Sequence, residues 1–280
     1  MKIQISLSIQ LLFLSATISV FTEPVPVVVE LFTSSKDCPD CPAVEQVLLN
    51  LQTEVSEQQM IPLVYHLEDS LSTNVGTDRA EGYYLVSQPP AVILNGTAAA
   101  LETGENLESS LRDQITALLS SRTSPWMIRG NLVVQGNTIT STVRLISPVI
   151  PEEFLVLHFV LLETIPGQYS NVVREFVTAT FVSDSAVSEG VEVEIQPASP
   201  DSVLHGVWLV QDFGSREIIQ AKVVSSPLPP YVDLDANGVF NPLDLYIFSR
   251  FWHISSPLVD SNGDLRVDAA DLVDFSSYHR

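Results

Sequence analysis

The first part of the chain alternates short apolar runs with stretches of helical periodicity. Val27 to Phe32 is an almost continuous apolar, β-branched run, which is typical of a strand buried on both faces. Apolar residues then recur at the i, i+3, i+4, i+7 spacing of an amphipathic helix. That spacing is set by Val44, Val47, Leu48 and Leu51. It predicts a helix from about Cys38 to Ser56, and a second strand is predicted at 61–67.

The pattern continues with a helix, a hairpin and a closing helix. Thr77 to Leu85 predicts a short helix, and Asn95-Gly96 between apolar residues is the strongest short hairpin signal. Leu107 to Ser121 carries apolar residues on one helical face. The order strand, helix, strand, helix, hairpin, helix predicts an α/β domain over residues 23–122.

From Trp126 onward the pattern changes to short strands separated by turn residues. A hairpin is predicted around Gly136-Asn137, and apolar strands follow up to Val224. About seven such strands predict an all-β sandwich domain over residues 126–225. His158 and His205 fall within these strands and are interpreted as ordinary strand residues. A Pro-rich linker at 226–230 then leads to a separate tail.

Composition narrows the class of protein. The 280 residues suggest about two domains at roughly 150 residues each, and 45% hydrophobic residues can build real cores. The formal net charge is −21, which argues against nucleic acid as a partner because a phosphate backbone needs a basic surface. The same charge argues against docking on anionic lipid.

Residues 1–22 have the pattern of a secretory signal peptide. Lys2 precedes an apolar run from Ile3 to Val20, and small residues follow near 19–22. The alternative is an uncleaved membrane anchor, the one case in which a membrane would be a partner. We therefore expect a secreted protein in an extracellular, periplasmic or cell-surface location, where a disulfide can persist.

Cys38 and Cys41 are the only cysteines, so they pair with each other or with a substrate. A strand, a Cys-x-x-Cys and a helix in that order are typical of a thioredoxin-type redox site. Cys38, at the predicted helix start, is expected to be the attacking thiolate, and Cys41 is expected to resolve the mixed disulfide. The alternative is a purely structural disulfide.

Acidic residues surround the cysteines. Asp37 and Asp40 are opposed by Lys36 alone, which disfavours a thiolate and so favours the disulfide. His66, Glu68 and Asp69 lie at the end of the second predicted strand. They are interpreted either as a proton relay or, more commonly for such positions, as loop residues that solvate a strand end.

Glu30-Leu31-Phe32-Thr33-Ser34, the Cys-x-x-Cys-Pro motif and Pro90 resemble a family of secreted bacterial thioredoxin-like domains of the glutaredoxin type, over about residues 25–122. The resemblance implies that Pro90 is a cis-proline facing the cysteines. It also implies thiol–disulfide oxidoreductase activity on a thiol or disulfide protein substrate, with Cys38, Cys41 and Pro90 as the catalytic residues.

The tail, residues 231–280, carries two series of oxygen ligands at the spacing of a calcium loop. The first loop places ligands at positions 1, 3, 5, 7, 9 and 12: Asp233, Asp235, Asn237, the Val239 carbonyl, Asn241 and Asp244. The second repeats the spacing with Asp260, Asn262, Asp264, the Arg266 carbonyl, Asp268 and Asp271. Two bound calcium ions are therefore predicted. A merely solvated acidic tail would not explain why Phe240 and Val267 occupy the same loop position.

This duplicated loop-helix resembles a type I dockerin, a small α domain with two calcium loops. The resemblance implies a cohesin-like partner. Two departures weaken that implication: Leu265 replaces the loop glycine, and Pro242-Leu243 and Ala269-Ala270 stand where cohesin-recognition residues are expected.

The combined hypothesis is a secreted thiol–disulfide oxidoreductase that a calcium-binding tail tethers to a complex or a surface. The alternative is a non-catalytic extracellular binding or scaffold protein, with a structural disulfide and a calcium-stabilised tail.

Overall fold

The structure is a computed structural model that describes residues 22–56, 58–99, 101, 106–151, 154–224, 234, 242–254, 256, 259–260 and 266–276. Its strands are β1 Glu23–Pro24, β2 Val27–Thr33, β3 Met60–His66, β4 Ala91–Leu94, β5 Thr97–Ala98, β6 Thr123–Ser124, β7 Met127–Gln135, β8 Thr138–Ile146, β9 Leu155–Ile165, β10 Tyr169–Val182, β11 Ala186–Glu194, β12 Val203–Asp212 and β13 Ile218–Val224. Its helices are α1 Cys41–Glu54, α2 Asn74–Thr77, α3 Leu107–Ser121, α4 Pro242–Ser249 and α5 Ala269–Ser276, and a π-helical segment covers Asp78–Tyr84.

Eight strands form one mixed sheet in the order β13-β12-β9-β10-β3-β2-β4-β5. Strand β2 runs parallel to β3 and antiparallel to β4. Strand β3 in turn pairs with β10 in parallel, where Val172 lies opposite Val64. Strands from both halves of the chain therefore belong to the same sheet.

The two ends of this sheet curve towards each other. The backbone amide of Ile218, in β13, donates to the carbonyl oxygen of Asn95, at the β4–β5 turn, at 3.1 Å. Gly96 has a φ of +90°, and a Cβ there would lie 1.8 Å from the Arg216 carbonyl oxygen, so only glycine fits this contact. One buried cluster between the ends contains Val28, Phe32 and Ile93 together with Val207, Leu209 and Ile218.

The predicted fold class is therefore wrong. An α/β thioredoxin-like domain followed by a separate β-sandwich would have two independent sheets, whereas the structure is mostly β with large sheets shared between the halves. Hydrophobic periodicity reports which faces of a strand are buried, and it does not report which strand lies alongside. The domain boundaries proposed at 122–126 and at 225 stay predictions.

A second, three-stranded sheet in the order β11-β8-β7 packs against the large sheet. Trp208 of β12 and Leu132 of β7 are fully buried in the cluster between the two layers. The Trp208 indole nitrogen donates to the Ser141 hydroxyl of β8 at 2.9 Å, which bonds one layer to the other. The predicted sandwich-like arrangement of sheets in this part of the chain is confirmed.

Helices α1 and α3 cover one face of β2, and the π-helical segment covers the other. Val27, Val29 and Leu31 pack with Leu48 of α1 and with α3. The alternate residues of β2 face the cluster shared with β12 and β13. Strand β2 is thus buried on both faces, as its sequence indicates.

The carboxyl-terminal region shows α4 and α5, each eight residues long, around a small apolar cluster. Phe248 and Phe275 form its centre, with ring centroids 4.5 Å apart. The predicted dockerin helical domain over residues 231–280 is not found among the described residues, and that prediction is corrected. Loop spacing specifies metal ligands, but so few apolar side chains specify only a small core.

No helix in the described ranges combines the length and the apolar character needed to cross a membrane.

Candidate functional site

Cys38 and Cys41 are joined by a disulfide, with their Cα atoms 5.5 Å apart. Cys38 lies in the loop between β2 and α1 and is partly exposed, whereas Cys41 is completely buried. One sulfur-bearing residue therefore faces the surface and the other is protected. The predicted disulfide is confirmed.

Helix α1 begins at Cys41, three residues later than the sequence indicates. Asp40 is its N-cap but makes no side-chain capping bond, and a proline occupies the first turn. The free amides of that turn give a partial positive charge beside the Cys41 end of the motif. Cys38 therefore precedes the helix, whereas the sequence predicts that Cys38 starts it.

Pro90 lies beside the end of β2. Phe32 of β2 pairs with Ala91 of β4, so Pro90 stands next to Thr33, where the loop towards Cys38 begins. The peptide bond between Pro89 and Pro90 is cis. On the other side, Thr33 pairs with His66 of β3. The ends of three strands therefore meet at the start of the loop, while the role of Pro90 towards substrate stays a prediction.

Asp69 anchors the loop that leads to Cys38. Its Oδ2 atom accepts from the Ser35 amide at 2.9 Å and from the Ser35 hydroxyl at 3.0 Å. The same oxygen lies 2.8 Å from His66 Nδ1, and Oδ1 accepts from the Leu71 amide. Burial opposes ionisation of Asp69, but these hydrogen bonds outweigh it and lower the pKa of the carboxyl.

The structure supports only part of the hypothesis that His66, Glu68 and Asp69 form a proton relay near the disulfide. The structure brings His66 and Asp69 together, and it leaves Glu68 exposed. No hydrogen bond joins His66 or Asp69 to either cysteine in the part of the chain that the structure describes. The arrangement positions the loop and does not by itself form a proton path to sulfur.

A buried polar network, missed by the sequence analysis, lies behind this loop. Glu30 of β2 is fully buried and accepts from Arg79 Nε at 2.7 Å, from the Tyr84 hydroxyl at 2.6 Å and from the Tyr65 hydroxyl at 3.1 Å. Burial raises the pKa of Tyr65 and of Tyr84, and the Glu30 carboxylate adds to that effect. Gln211 of β12 accepts from Arg79 at 3.3 Å. A charged residue inside the apolar run of β2 was the signal that could have revealed this network.

Most of the predicted calcium ligands lie outside the described residues: Asp233, Asp235, Asn237, Val239, Asn241, Asn262 and Asp264. Asp260, Arg266 and Asp268 are described. Among the described residues, no three His, Cys, Asp or Glu side chains lie close enough together to hold a metal ion. Asp244 and Asp271, the carboxylates that close each loop, are completely buried. Asp244 accepts from the Leu234 amide and Asp271 from the Asp268 amide, both at 2.9 Å.

His158 and His205 lie in strands, as interpreted from the sequence, where His158 is buried and His205 is partly buried. His158 Nδ1 lies 3.1 Å from the Thr178 hydroxyl, and His205 Nε2 lies 2.8 Å from Asn171 Oδ1. Burial lowers the pKa of His158 to about 3, with a smaller contribution from Arg79, and burial lowers the pKa of His205 to about 4. Both rings are neutral at physiological pH.

Comparison with known proteins places the chain in no family. No family model matches, and no curated protein matches. Among solved structures, HBP35 of Porphyromonas gingivalis is similar over 72% of this chain and 76% of its own, with 15% identity and a TM-score of 0.56. A domain of the outer membrane lipoprotein Omp28 from the same organism is similar over 37% of this chain and 88% of its own, with 14% identity and a TM-score of 0.29. The first of these likenesses shows a shared fold alone, and the second is too slight to carry an argument.

These findings correct both resemblances proposed from the sequence. The similarity to HBP35 covers 72% of this chain and so extends over both of this chain's halves. Neither a thioredoxin-like family nor a dockerin family is matched. The motifs behind the resemblances are short and local: a Cys-x-x-Cys, a proline before a strand, and oxygen ligands at loop spacing. Such motifs specify the geometry of a turn and not the fold around it. The cohesin-like partner, which followed from the dockerin resemblance alone, stays an untested prediction.

Proposed function

We propose that the protein exchanges thiols and disulfides with other proteins through Cys38 and Cys41, in an oxidising compartment outside the cytoplasm. The observation that carries the proposal is the unequal burial of the pair, with Cys38 partly exposed and Cys41 completely buried. An accessible sulfur can meet a substrate thiol, and a protected neighbour can close the reaction within the protein. A purely structural disulfide does not need this asymmetry.

The exchange requires no cofactor. In the oxidising direction, a substrate thiolate attacks Cys38 Sγ, the Cys38–Cys41 bond breaks, and Cys41 leaves as a thiolate. A second substrate thiolate then attacks the mixed disulfide and displaces Cys38. The substrate loses two electrons and two protons as its disulfide forms, and the protein gains them as a dithiol.

The charges around the pair favour its oxidised form. Asp37 and Asp40 are exposed next to the cysteines, and Lys36 is the nearest opposing charge in sequence. Negative charge next to a sulfur disfavours the thiolate, so the reduced form is stabilised less than in a strongly oxidising protein. We infer a moderate oxidant, or a reductant when a partner supplies electrons.

We also propose that the tail binds two calcium ions, which would order it and present it to a partner or a surface. The support is the burial of Asp244 and Asp271, because a carboxylate seldom becomes buried without a cation or several donors. Each would close a loop whose other oxygens come from the two series given above. The ion would supply structural cross-linking, and it takes no part in thiol chemistry.

The alternative is a binding protein in which the disulfide only staples the loop before α1, and the complete burial of Cys41 is compatible with it. A catalytic assay separates the two. Oxidised protein is supplied with a reduced, unfolded model protein and a glutathione couple, and disulfide formation is followed over many turnovers. We expect a rate well above that of the Cys38→Ser/Cys41→Ser double variant, and equal rates would refute catalysis.

A further inference from the structure

A cavity of about 330 Å³ lies away from the disulfide, between the face of β9, β10 and β12 and the α2–π-helical segment. Its wall is mostly apolar or aromatic. The side chains that define it are Val75, Tyr83, Val156, Phe176, Phe181 and Phe213. Neither cysteine lines it, and neither does Pro90. Its volume is within the range of small-molecule sites in proteins.

The polar groups in the wall are largely satisfied within the protein. Gln211 donates to the Arg216 carbonyl oxygen at 2.6 Å and to the Tyr84 hydroxyl at 3.3 Å, and its own oxygen accepts from Arg79. The Arg79 charge is balanced by Glu30 at 2.7 Å, and His158 is neutral. Asp78 also lines the cavity and adds one exposed carboxylate, which forms no ion pair with a described residue. The rest of the wall carries little net charge and offers few unused hydrogen-bonding groups.

Arg79 Nη1 is the exception. The hydrogen bonds of the guanidinium use Nε and Nη2, so Nη1 makes no hydrogen bond to a described residue. Among the described residues, two side-chain atoms are inaccessible to solvent and have no hydrogen-bond partner: His66 Nε2 and Asn95 Nδ2. Arg79 Nη1 is not one of them, so it is accessible to solvent. Since Arg79 is buried yet lines the cavity, Nη1 must open into it. The cavity thus contains one donor that awaits an acceptor.

Two exposed phenylalanines, Phe181 and Phe213, line the cavity, and Phe154 lies next to both of them. Phe154, Phe181 and Phe213 are 64%, 55% and 60% exposed, although each could bury a large apolar surface. The Phe154 ring lies 5.1 Å from that of Phe181 and 6.2 Å from that of Phe213, so the three form one continuous patch. A patch of this kind next to a cavity is typical of a ligand site.

We propose that this cavity binds a small aromatic molecule that carries one carbonyl or carboxylate acceptor. The ring would pack between Phe176 and the two exposed phenylalanines, and the acceptor would receive a hydrogen bond from Arg79 Nη1. The Arg79 guanidinium carbon already lies 4.2 Å from the Phe176 ring centroid, so this wall brings the hydrogen-bond donor and an aromatic ring together. This site is independent of the proposed thiol–disulfide exchange.

The probe is 2-naphthoate, titrated into the full-length protein and followed by calorimetry. We expect saturable binding at one site. The double variant Phe181→Ala/Phe213→Ala should weaken it about tenfold or more, because two aromatic contacts are lost. Tyr246→Ala, which removes an equally exposed aromatic side chain from α4, is the matched control and should bind as the wild type does.

The acceptor is tested with a second probe, because removing Arg79 would leave Glu30 buried without its partner. 2-Methylnaphthalene has the same ring system and no acceptor, and it should bind at least fivefold more weakly than 2-naphthoate. Equal affinity for the two probes would overturn the role of Arg79 Nη1. Absence of saturable binding, or binding unaffected by Phe181→Ala/Phe213→Ala, would overturn the site itself.

Discussion

Arg79 Nε donates to Glu30 Oε1 at 2.7 Å in a fully buried ion pair that joins the π-helical segment to the central strand β2. Arg79 also reaches Gln211 of β12, which lies 132 positions away in the sequence. The pair therefore holds together elements from both halves of the chain. Because both charges are buried, removing either side chain would leave the other charge buried without a partner and destabilise the fold.

Breaking this pair from one side should destabilise the protein strongly. Glu30→Gln or Arg79→Gln alone leaves the other charge buried without a partner, so each should lower the free energy of unfolding by about 3–5 kcal/mol. The double variant should lose less than the sum, because no unpaired charge remains. Urea unfolding of the three variants measures this.

The control for that cycle is the exposed pair Arg112–Glu54. Its single variants should leave the unfolding midpoint nearly unchanged, since exposed pairs contribute little. If Glu30→Gln and Arg79→Gln behaved like these controls, or added independently in the double variant, the buried network would not carry the coupling assigned to it.

Asp69 should give a pH-dependent contribution to stability. Its folded pKa is lowered, so its stabilisation is present above the unfolded value near 4 and is lost as pH falls through the folded value. Asp69→Asn should therefore lower stability by about 1 kcal/mol at pH 7, with the difference from wild type shrinking below about pH 4. Thermal unfolding from pH 7 to pH 3 follows it.

Glu68→Gln is the matched control for Asp69, because Glu68 is the exposed acidic neighbour. Its effect should be small at every pH. A difference between wild type and Asp69→Asn that stayed constant from pH 7 to pH 3 would show that the carboxylate charge does not hold the loop.

Cys38 should be the sulfur that meets substrate. Replacing Cys41 by Ser removes the resolving thiol, so a mixed disulfide between Cys38 and a model substrate should accumulate and survive to non-reducing electrophoresis. The Cys38→Ser variant should trap at least tenfold less, because Cys41 is completely buried. Faster trapping or alkylation at Cys41 would reverse the assignment.

Calcium should bind to the full-length protein with a stoichiometry of two. Asp244→Ala and Asp271→Ala should each remove one ion from a calorimetric titration, because each closes one predicted loop. Asp184→Ala removes an exposed aspartate elsewhere and should leave both ions in place. A wild-type protein that bound no calcium, or two single variants that kept both ions, would refute the loops as metal sites.

Local features were predictable from the sequence, and long-range ones were not. The burial of both faces of β2, the disulfide and the turn at Asn95-Gly96 depend on residues close together in the chain. The pairing of β3 with β10 and the contact between Arg79 and Gln211 join residues more than a hundred positions apart. No periodicity specifies such partners, so the division into separate folds was wrong.

The candidate site likewise combines local features that the sequence predicts with long-range contacts that it does not predict. The two cysteines were identified from their spacing, whereas Asp69 acquires its role only when β3 places it beside Ser35. Glu30 was absorbed into an apolar run, although a lone carboxylate there signals a buried cation. The aromatic cavity was not predictable, since its wall comes from β9, β10, β12 and the π-helical segment.

The reduction potential of the Cys38–Cys41 pair tests the central claim most directly. It is measured by equilibrating the full-length protein with defined glutathione or dithiothreitol couples and counting the free thiols. An exchange-active pair with acidic neighbours should have a potential of about −200 to −270 mV, within the range of exchange proteins and below that of strong oxidants. A potential well below about −300 mV would mark a structural bond and contradict the proposed function.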